Sequence, residues 1–348
     1  MPDTRIKKWS FTAQTRIRLF IIALSIVLLS GCSSVSRELC ARQRTAFDIG
    51  STTMKMKTAQ VDKCSKTVIG IIIQKEVKVP FAENTRDQRL NRDVQDTGLE
   101  QMQTLKKEAL AHGTTSFAGV ATAAFRSAAN SDQFLAEINN NLGISIRLIS
   151  QDEEAMLGYL AANAKIQDPS GDIVVWDIGG NSMQLIVKDK DQKFRIYRGQ
   201  LASISFKNQL LEKIHHREAG AQASPNPIGI NNLSQALEIA MTAAADVPEV
   251  IKRYIRQSGT TVVGIGGVHN QSIRKQTGMT SAYRREDLLR TVKDKLDLTD
   301  AQIGGHYAET DVSNLILVLG FMQKLDIREV QLVDVNLTDG ILIDPSFW

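Results

Sequence analysis

Residues 174–187 are Val174-Val175-Trp176-Asp177-Ile178-Gly179-Gly180-Asn181-Ser182-Met183-Gln184-Leu185-Ile186-Val187. Two apolar, β-branched runs flank a polar turn, which predicts a buried strand, a tight turn and a returning strand. Glycine at the tip lets the backbone approach an anion, and Asp177, at the end of the first strand, is placed to hold a metal-bound water. The segment therefore predicts a phosphate clamp, against the alternative of an ordinary glycine turn between core strands.

A second segment repeats this arrangement near the start of the chain. It is Phe47-Asp48-Ile49-Gly50-Ser51-Thr52-Thr53-Met54-Lys55-Met56-Lys57. An apolar strand again ends in Asp and Gly, and hydroxyl residues precede alternating apolar and basic residues. Two such hairpins predict two similar domains that face one cleft. The phosphate-binding candidates at the two tips are Gly50, Ser51, Thr52, Gly179, Gly180, Asn181 and Ser182.

Two further segments carry candidate phosphate-binding residues. Arg126 lies among small residues just past the predicted strand 114–122, where a guanidinium is placed to form a fork to phosphate. An arginine on a helix surface is the alternative. Gly266 and Gly267 end another predicted strand, and alone they are a weak phosphate signal.

Glu154 is the candidate general base. Ser150 and Glu153 have capping-box spacing, so a helix should begin there, with Glu153 in a structural role. Glu154 then falls in the first helical turn, where the helix dipole favours its ionised form and a carboxylate can take a proton from an attacking water. On composition alone, a solvated surface glutamate is the commoner explanation.

The N-terminus has the pattern of a bacterial lipoprotein. A basic segment precedes an apolar run too short to span a bilayer comfortably, and the run ends in Leu29-Ser30-Gly31-Cys32, which resembles a lipobox. We expect residues 1–31 to be a secretory signal, Cys32 to be lipidated and residues 32–44 to form a tether. The domain would then be anchored to a membrane of the bacterial cell envelope, facing the periplasm or the exterior. An uncleaved amphipathic anchor is the alternative.

The net charge gives no support for one class of partner. The 348 residues carry a formal net charge of +4, and residues 1–31 account for it because they hold five Lys or Arg and one Asp. The mature chain is neutral, so the basic pI gives no support for nucleic-acid binding, and any anion binding must be local.

Cys40 and Cys64 flank the first predicted hairpin. A hairpin brings its two open ends together, and an exported protein meets conditions that permit disulfides. The two cysteines are therefore candidates for a disulfide, with two free thiols as the alternative.

Five motifs in this order resemble the exopolyphosphatase and guanosine pentaphosphate phosphohydrolase (Ppx/GppA) family. They are Phe47-Asp48-Ile49-Gly50-Ser51, Val120-Ala121-Thr122-Ala123-Ala124-Phe125-Arg126-Ser127-Ala128-Ala129-Asn130, Ile149-Ser150-Gln151-Asp152-Glu153-Glu154-Ala155, Trp176-Asp177-Ile178-Gly179-Gly180-Asn181-Ser182 and Gly264-Ile265-Gly266-Gly267. The resemblance runs from about residue 45 to the end. It implies an α/β fold of two actin-like, sugar-kinase-like (ribonuclease H-like) domains facing a central cleft, with residues 45–160 as domain I and 161–348 as domain II.

The resemblance also implies roles for individual residues. Glu154 would be the general base, Arg126 would bind phosphate, and Asp48, Asp177 and Gln184 would lie at a Mg²⁺ site. Two departures stand out: Asn181 and Gln184 replace a Gly and a Glu of the family's central hairpin. Losing that carboxylate should weaken Mg²⁺ binding. The loop 264–268 also lacks the family's hydroxyl residues.

Three functions follow as expectations. The first is a phosphohydrolase that releases terminal phosphate from a phosphoanhydride such as short polyphosphate or a nucleotide polyphosphate. The second is a degenerate member that binds phosphate, polyphosphate, a nucleotide or a protein partner without turnover. The third, a kinase, rests on the shared fold alone. The protein could also form a homodimer, and the sequence does not decide this.

Overall fold

The structure, a computed structural model, describes residues 39–166, 171–220 and 223–348. The strands are β1 (Ala41–Ile49), β2 (Thr53–Asp62), β3 (Thr67–Lys78), β4 (Thr85–Arg86), β5 (Arg89–Leu90), β6 (Phe117–Ala121), β7 (Ser145–Leu148), β8 (Ile173–Ile178), β9 (Met183–Lys188), β10 (Phe194–Gly199), β11 (Thr261–Ile265), β12 (Ala282–Arg284) and β13 (Glu329–Leu332). The α-helices are α1 (Arg92–Ala111), α2 (Ala123–Arg126), α3 (Ser131–Leu142), α4 (Gln151–Lys165), α5 (Ser203–Lys213), α6 (Leu233–Ala245), α7 (Glu249–Arg256), α8 (Arg274–Thr277), α9 (Arg285–Lys295), α10 (Asp300–Ile303), α11 (Ala308–Leu325) and α12 (Leu337–Ile343). A π-helical turn, Val268–Ile273, precedes α8.

The first sheet has the strand order β3-β2-β1-β6-β7. Strands β1, β2 and β3 are antiparallel, whereas β1, β6 and β7 are parallel. Side chains alternate across the sheet, so Phe47 and Met56 pack in the core formed with α1 and α3, while Ala46 and Ala59 face the opposite side. The pattern of residues 67–79 predicts two strands, but β3 is one strand whose pairing with β2 is interrupted by two register shifts.

The second sheet has the order β10-β9-β8-β11-β13-β12. Strand β8 pairs antiparallel with β9 and parallel with β11, so it lies inside the sheet and its apolar run is buried on both faces. Trp176 is fully buried with Phe321 of α11, a helix buried along most of its length. The central hairpin thus forms in the larger core of the protein.

The two sheets repeat one hairpin, as the sequence predicts. In the first sheet Asp48 lies opposite Lys55, and in the second Asp177 lies opposite Gln184. Both turns close with the same bond, from Gly50 N–H to Thr53 O and from Gly179 N–H to Ser182 O, each 2.9 Å. Each aspartate therefore reaches the same end of its own sheet.

The last helix corrects the predicted extent of domain II. Helix α12 packs against the first sheet, where Leu337 and Ile341 share a core with residues of β1, β2 and β6. Lys57 Nζ also donates to both carboxylate oxygens of Asp339, at 2.7 and 2.6 Å. The chain therefore returns to the first domain after β13, because these apolar residues find their buried surface there.

The predicted boundary between residues 160 and 161 falls inside α4. This helix contacts both sheets: Leu157 packs with α12 and the first sheet, whereas Ala155 and Ala162 pack with the second. Helix α4 is the connection between the domains and belongs to the wall between them.

A disulfide joins the two strands of the first hairpin at the end opposite its turn. Cys40 and Cys64 form a disulfide with their Cα atoms 5.5 Å apart, and Lys63 N–H donates to Cys40 O at 3.0 Å. The predicted signal 1–31, the lipidation site Cys32 and residues 32–38 of the tether lie outside the described residues. The predicted end of the tether at residue 44 is wrong, because residues 41–44 already pair with β2 as the start of β1. Within the described ranges, none of the helices has both the length and the apolar character needed to cross a membrane.

Candidate active site

A cavity of about 380 Å³ lies between the two domains. Both hairpin tips, the start of α4 and the loop after β11 contribute to its wall. The predicted site residues that line it are Asp48, Gly50, Ser51, Thr52, Glu154, Asp177, Gly179, Gly180, Ser182, Gly266 and Gly267. Segments distant in the sequence therefore converge on one cleft.

Two glycines make this convergence possible. A Cβ on Gly180 would lie 3.0 Å from Ser51 Cβ, so the two hairpin tips are in contact. Gly266 has a φ of +78°, and a Cβ there would lie 2.3 Å from Asp177 Oδ1. Only glycine accommodates both that backbone conformation and the approach of the carboxylate.

Backbone donors remain available at the tips. The N–H groups of Ser51, Thr52 and Gly180 donate to no backbone acceptor within the described residues. Exposed N–H groups at a glycine turn are suited to binding phosphate oxygens. The geometry therefore fits the predicted clamp.

Glu154 is positioned by the start of α4. Both hydrogen bonds of the predicted capping box are present, with Ser150 Oγ accepting from Glu153 N–H and Glu153 accepting from Ser150 N–H. Glu153 therefore has the structural role that its spacing predicts. The next residue, Glu154, turns inward and is only 6% exposed.

Arg126 contacts Glu154 and does not line the cavity. Its Nη1 donates to Glu154 Oε2 at 2.8 Å and to Ile149 O at 3.2 Å, and its Nη2 donates to Ser182 Oγ at 3.4 Å. The guanidinium donors are directed to Glu154 and its neighbours, so Arg126 contacts the carboxylate of the candidate base. Its direct fork to phosphate stays a prediction.

Gln184 and Asn181 also lie off the cavity wall. Gln184 is 1% exposed and donates from Nε2 to Ser182 Oγ at 3.4 Å. The amide of Gln184 therefore lies beside Ser182, and its predicted place at a metal site stays a prediction. Asn181 is half-buried at the hairpin tip.

The buried acids raise one another's proton affinity. Burial raises the pKa of Asp177 to about 7, and the negative charge of Glu154 adds to the effect. Burial also raises the pKa of Glu154, against the opposing charge of Arg126, and that of Asp48, against the charge of Lys55. A cation in the cavity would favour the ionised forms of these carboxylates.

Lys55 is a site residue that sequence reasoning missed. Its Nζ lies 3.9 Å from Asp48 Oδ2. Burial lowers the pKa of this amine, but the surrounding charges, led by Asp48 and Glu76, outweigh burial and raise it. The repeat itself carries the signal, because Lys55 occupies the place in the first hairpin that Gln184 occupies in the second.

The far wall of the cavity was also missed. Glu76 and Lys78 of β3 reach across to the second domain, where Glu76 accepts from Gln271 Nε2 at 3.0 Å and from Tyr307 OH at 3.2 Å. Lys78 Nζ donates to Glu309 Oε1 at 3.2 Å. We call these contacts the cleft bridge. Charged residues at the ends of strands and helices are common on surfaces, so nothing in the sequence marks them.

Asp48 and Asp177 fit a magnesium site of the kind completed by substrate. Mg²⁺ is often held by one or two carboxylates, with waters and substrate phosphates as the other ligands. Among the described residues, one trio of potential ligand residues has its donor atoms within 4.8 Å of one another: Cys40, Asp62 and Cys64, at the far end of the hairpin. The two sulfurs of that group are bonded to each other, which removes them as thiolate ligands. The cleft carboxylates lack such close grouping and would need substrate oxygens to complete the shell.

Comparison with known sequences identifies relatives. A profile of the Ppx/GppA phosphatase family matches residues 59–345. The chain is 24% identical over 239 residues to the guanosine-5'-triphosphate,3'-diphosphate pyrophosphatase of Vibrio parahaemolyticus, covering 65% of this chain and 44% of that protein. A Photobacterium profundum protein of the same name is 22% identical over 233 residues, covering 65% and 44%. The chain thus spans less than half the length of these curated relatives.

Solved structures share the fold. The Ppx/GppA family member of Aquifex aeolicus superposes with a TM-score of 0.67 at 16% identity, covering 87% of this chain and 97% of that one. An exopolyphosphatase-like protein gives a TM-score of 0.72 at 16% identity, covering 88% and 98%. The predicted α/β fold with two actin-like domains is confirmed.

Proposed function

Because this chain belongs to the Ppx/GppA phosphatase family, we propose that it hydrolyses the terminal phosphoanhydride bond of short polyphosphate or of a nucleotide polyphosphate. The observation that carries the proposal is Glu154, buried and held by Arg126, at a cavity lined by the two hairpin tips. A general base beside a phosphate clamp is what hydrolysis of a phosphoanhydride needs.

Glu154 would activate the attacking water. Arg126 binds Oε2 at 2.8 Å, which leaves Oε1 to accept the water proton. As that proton moves to Glu154, the water oxygen bonds to the terminal phosphorus and the bond to the bridging oxygen breaks. Burial raises the pKa of Glu154 and so brings the base closer to neutral operating pH.

The clamp would stabilise the charge on the phosphoryl oxygens. The N–H groups of Ser51, Thr52 and Gly180, which have no backbone acceptor in the described part of the chain, supply fixed dipoles, and Lys55 adds a positive charge beside Asp48. We propose Mg²⁺ as cofactor, held by Asp48 and Asp177. The buried amide of Gln184 would help to hold Glu154 in place. When bound, the ion would neutralise substrate charge.

The second candidate function is binding without turnover. Gln184 favours it, since an amide stands where a carboxylate would strengthen a metal site. Lys55 also favours it, because its ammonium already lies 3.9 Å from Asp48.

Phosphate release separates these two functions. The full-length protein in detergent is incubated with short polyphosphate or a guanosine polyphosphate, with Mg²⁺ or with a chelator. Hydrolysis predicts phosphate release that Glu154→Gln lowers roughly 10²–10⁴-fold. Calorimetric binding of the same compounds with no release in any condition would leave the binding function as the better account.

We also propose that Cys32 is lipidated and holds the protein on a membrane of the cell envelope. The lipobox Leu29-Ser30-Gly31-Cys32 supports this proposal. Wild-type protein should fractionate with membranes, and mass spectrometry should find the mature N-terminus acylated at Cys32. Cys32→Ala should block the processing. Wild-type protein that is soluble with an intact N-terminus would contradict the anchor.

A further inference from the structure

Strand β3 exposes large apolar side chains at one edge of the first sheet. Ile69, Ile71 and Ile72 are 57%, 53% and 41% exposed, and no strand pairs with the outer edge of β3 within the described residues. Exposed apolar groups on a long edge strand indicate a surface that something covers.

These isoleucines lie near the place where the described chain begins. Strand β3 starts just after Cys64, which is bonded to Cys40, and Leu39 beside that bond is 64% exposed. Leu39 precedes β1, which lies two strands or about 10 Å across the sheet from β3, and Ile71 lies level with Arg44, five residues further along the chain from Leu39. We call Leu39, Ile69, Ile71 and Ile72 the isoleucine face.

We propose that the isoleucine face rests on the lipid bilayer that holds the protein, an inference that rests on the proposed lipidation of Cys32. Seven residues separate Cys32 from Cys40. Even fully extended, they place Cys40 within about 29 Å of the anchored residue. The tether therefore keeps this end of the sheet close to the membrane surface.

The charge around the face suits anionic headgroups. Lys63 and Lys66 are exposed in the turn between β2 and β3. Asp62, the acid of this turn, accepts from the N–H groups of Cys64 and Ser65, so its carboxylate faces into the turn. Exposed lysines beside an apolar patch favour an anionic bilayer surface.

A second copy paired along β3 fits less well. The register of β3 on β2 shifts at Thr58/Ala59 and at Gln60/Val61. Such bulges twist an edge strand away from regular pairing with another strand. A bilayer has no register to match, so it tolerates this irregular edge.

The placement also orients the active site. Asp48 lies seven residues along β1 from Ala41, or about 23 Å at the rise of a strand. Through Ala59, Ile71 lies level with Arg44, which is four residues or about 13 Å along β1 from Asp48, so the cavity lies beyond the isoleucine face along the strands, where soluble phosphoanhydrides reach it.

Photocrosslinking tests the proposal with a matched pair of sites. The full-length protein carries a photoreactive side chain at Ile71 or at Ile230, an isoleucine of the second domain with the same 53% exposure. Each protein is reconstituted into vesicles of phosphatidylethanolamine and phosphatidylglycerol. We expect lipid adducts at Ile71 at least tenfold above those at Ile230. Equal yields at the two sites, or adducts at Ile71 to a second copy and not to lipid, would overturn the proposal.

Two further measurements separate the face from the anchor and from folding. The mass of the N-terminal peptide reports acylation. Acylated protein without lipid adducts at Ile71 would contradict the membrane contact of the isoleucine face but not the anchor. Unmodified Cys32 would contradict the proposed anchor. Lys63→Glu with Lys66→Glu, at exposed turn positions, should lower the adduct yield at Ile71 about threefold on anionic vesicles and leave it unchanged on neutral ones. An unchanged yield on anionic vesicles would contradict the proposed role of charge.

Discussion

At the scale of single residues, the two hairpins differ in what they place opposite their aspartates. Lys55 faces Asp48, and Gln184 faces Asp177. The repeated fold therefore surrounds the buried acids with one ammonium and one amide, where a further carboxylate would raise the negative charge. This balance sets how strongly the cavity can attract a divalent cation.

Gln184→Glu should lower the Mg²⁺ concentration needed for half-maximal phosphate release by roughly tenfold, because metal affinity rises with the charge of the surrounding ligands. Without metal the same variant should be less stable, since residue 184 is 1% exposed and a carboxylate there would be buried without a cation. A Mg²⁺ titration of activity and the melting temperature in chelator measure the two effects. An unchanged Mg²⁺ requirement would show that residue 184 does not influence the metal.

Arg126→Gln tests whether Arg126 positions and tunes Glu154. The guanidinium opposes the rise that burial causes in the pKa of Glu154, so its removal should move the acid limb of the kcat/KM profile to higher pH. Arg126→Lys keeps the charge and should move that limb less. If Arg126 bound phosphate directly, its loss would raise KM while the acid limb stayed in place.

Asp177→Asn should stabilise the metal-free protein at high pH. Burial raises the pKa of Asp177 to about 7, above the value of about 3.9 in an unfolded chain. The stability from its protonated form is therefore complete below pH 4 and is lost as pH rises through 7. We expect the variant's melting temperature to exceed that of the wild type by roughly 2–4 °C more at pH 8.5 than at pH 5.5. The same gain at both pH values would contradict the assigned pKa.

At the scale of elements, α12 is held to the first domain by Lys57 and Asp339. Lys57 is 3% exposed and Asp339 is 7% exposed. Lys57→Met should destabilise the protein by about 3–5 kcal/mol, because it leaves the carboxylate buried without its partner. Adding Asp339→Asn should recover most of the loss, since an amide keeps the acceptor for Asn336 N–H. Urea unfolding measures both variants, and an additive second loss would argue against the pair.

Some elements of the fold can be predicted from the sequence and others cannot. Both hairpins are predicted because apolar runs and glycine turns are local signals, and the capping box locates α4 for the same reason. The place of α12 is not predicted, because a short run of apolar residues indicates burial without naming the sheet that buries it. Lys55 is recognised as a site residue only when the two hairpins are aligned. The contacts of Arg126 with Glu154 and of Gln184 with Ser182 depend on side-chain directions that spacing does not encode.

At the scale of the whole molecule, the cavity has walls from two domains that join through α4 and the cleft bridge. The bridge also closes one side of the cavity, since Glu76, Lys78, Tyr307 and Glu309 all line it. Residues at the end of β3 thus influence how readily the two walls separate. Catalysis in such a cleft requires residues of both walls to contact the substrate at the same time.

Lys78→Ala tests the bridge against a matched control on the same strand. Lys78 pairs with Glu309 of the second domain, whereas Lys75 pairs with Glu108 of the first; the lysine side chains are 45% and 48% exposed. Because both lysine side chains are about half exposed, each alanine variant should change stability by less than about 1 kcal/mol. Lys78→Ala alone should raise hydrogen exchange at the start of α11 and lower kcat/KM, since only that pair crosses the cleft. Equal kinetics and equal exchange in the two variants would mean that the domains are held together by α4 and the hairpin tips without the bridge.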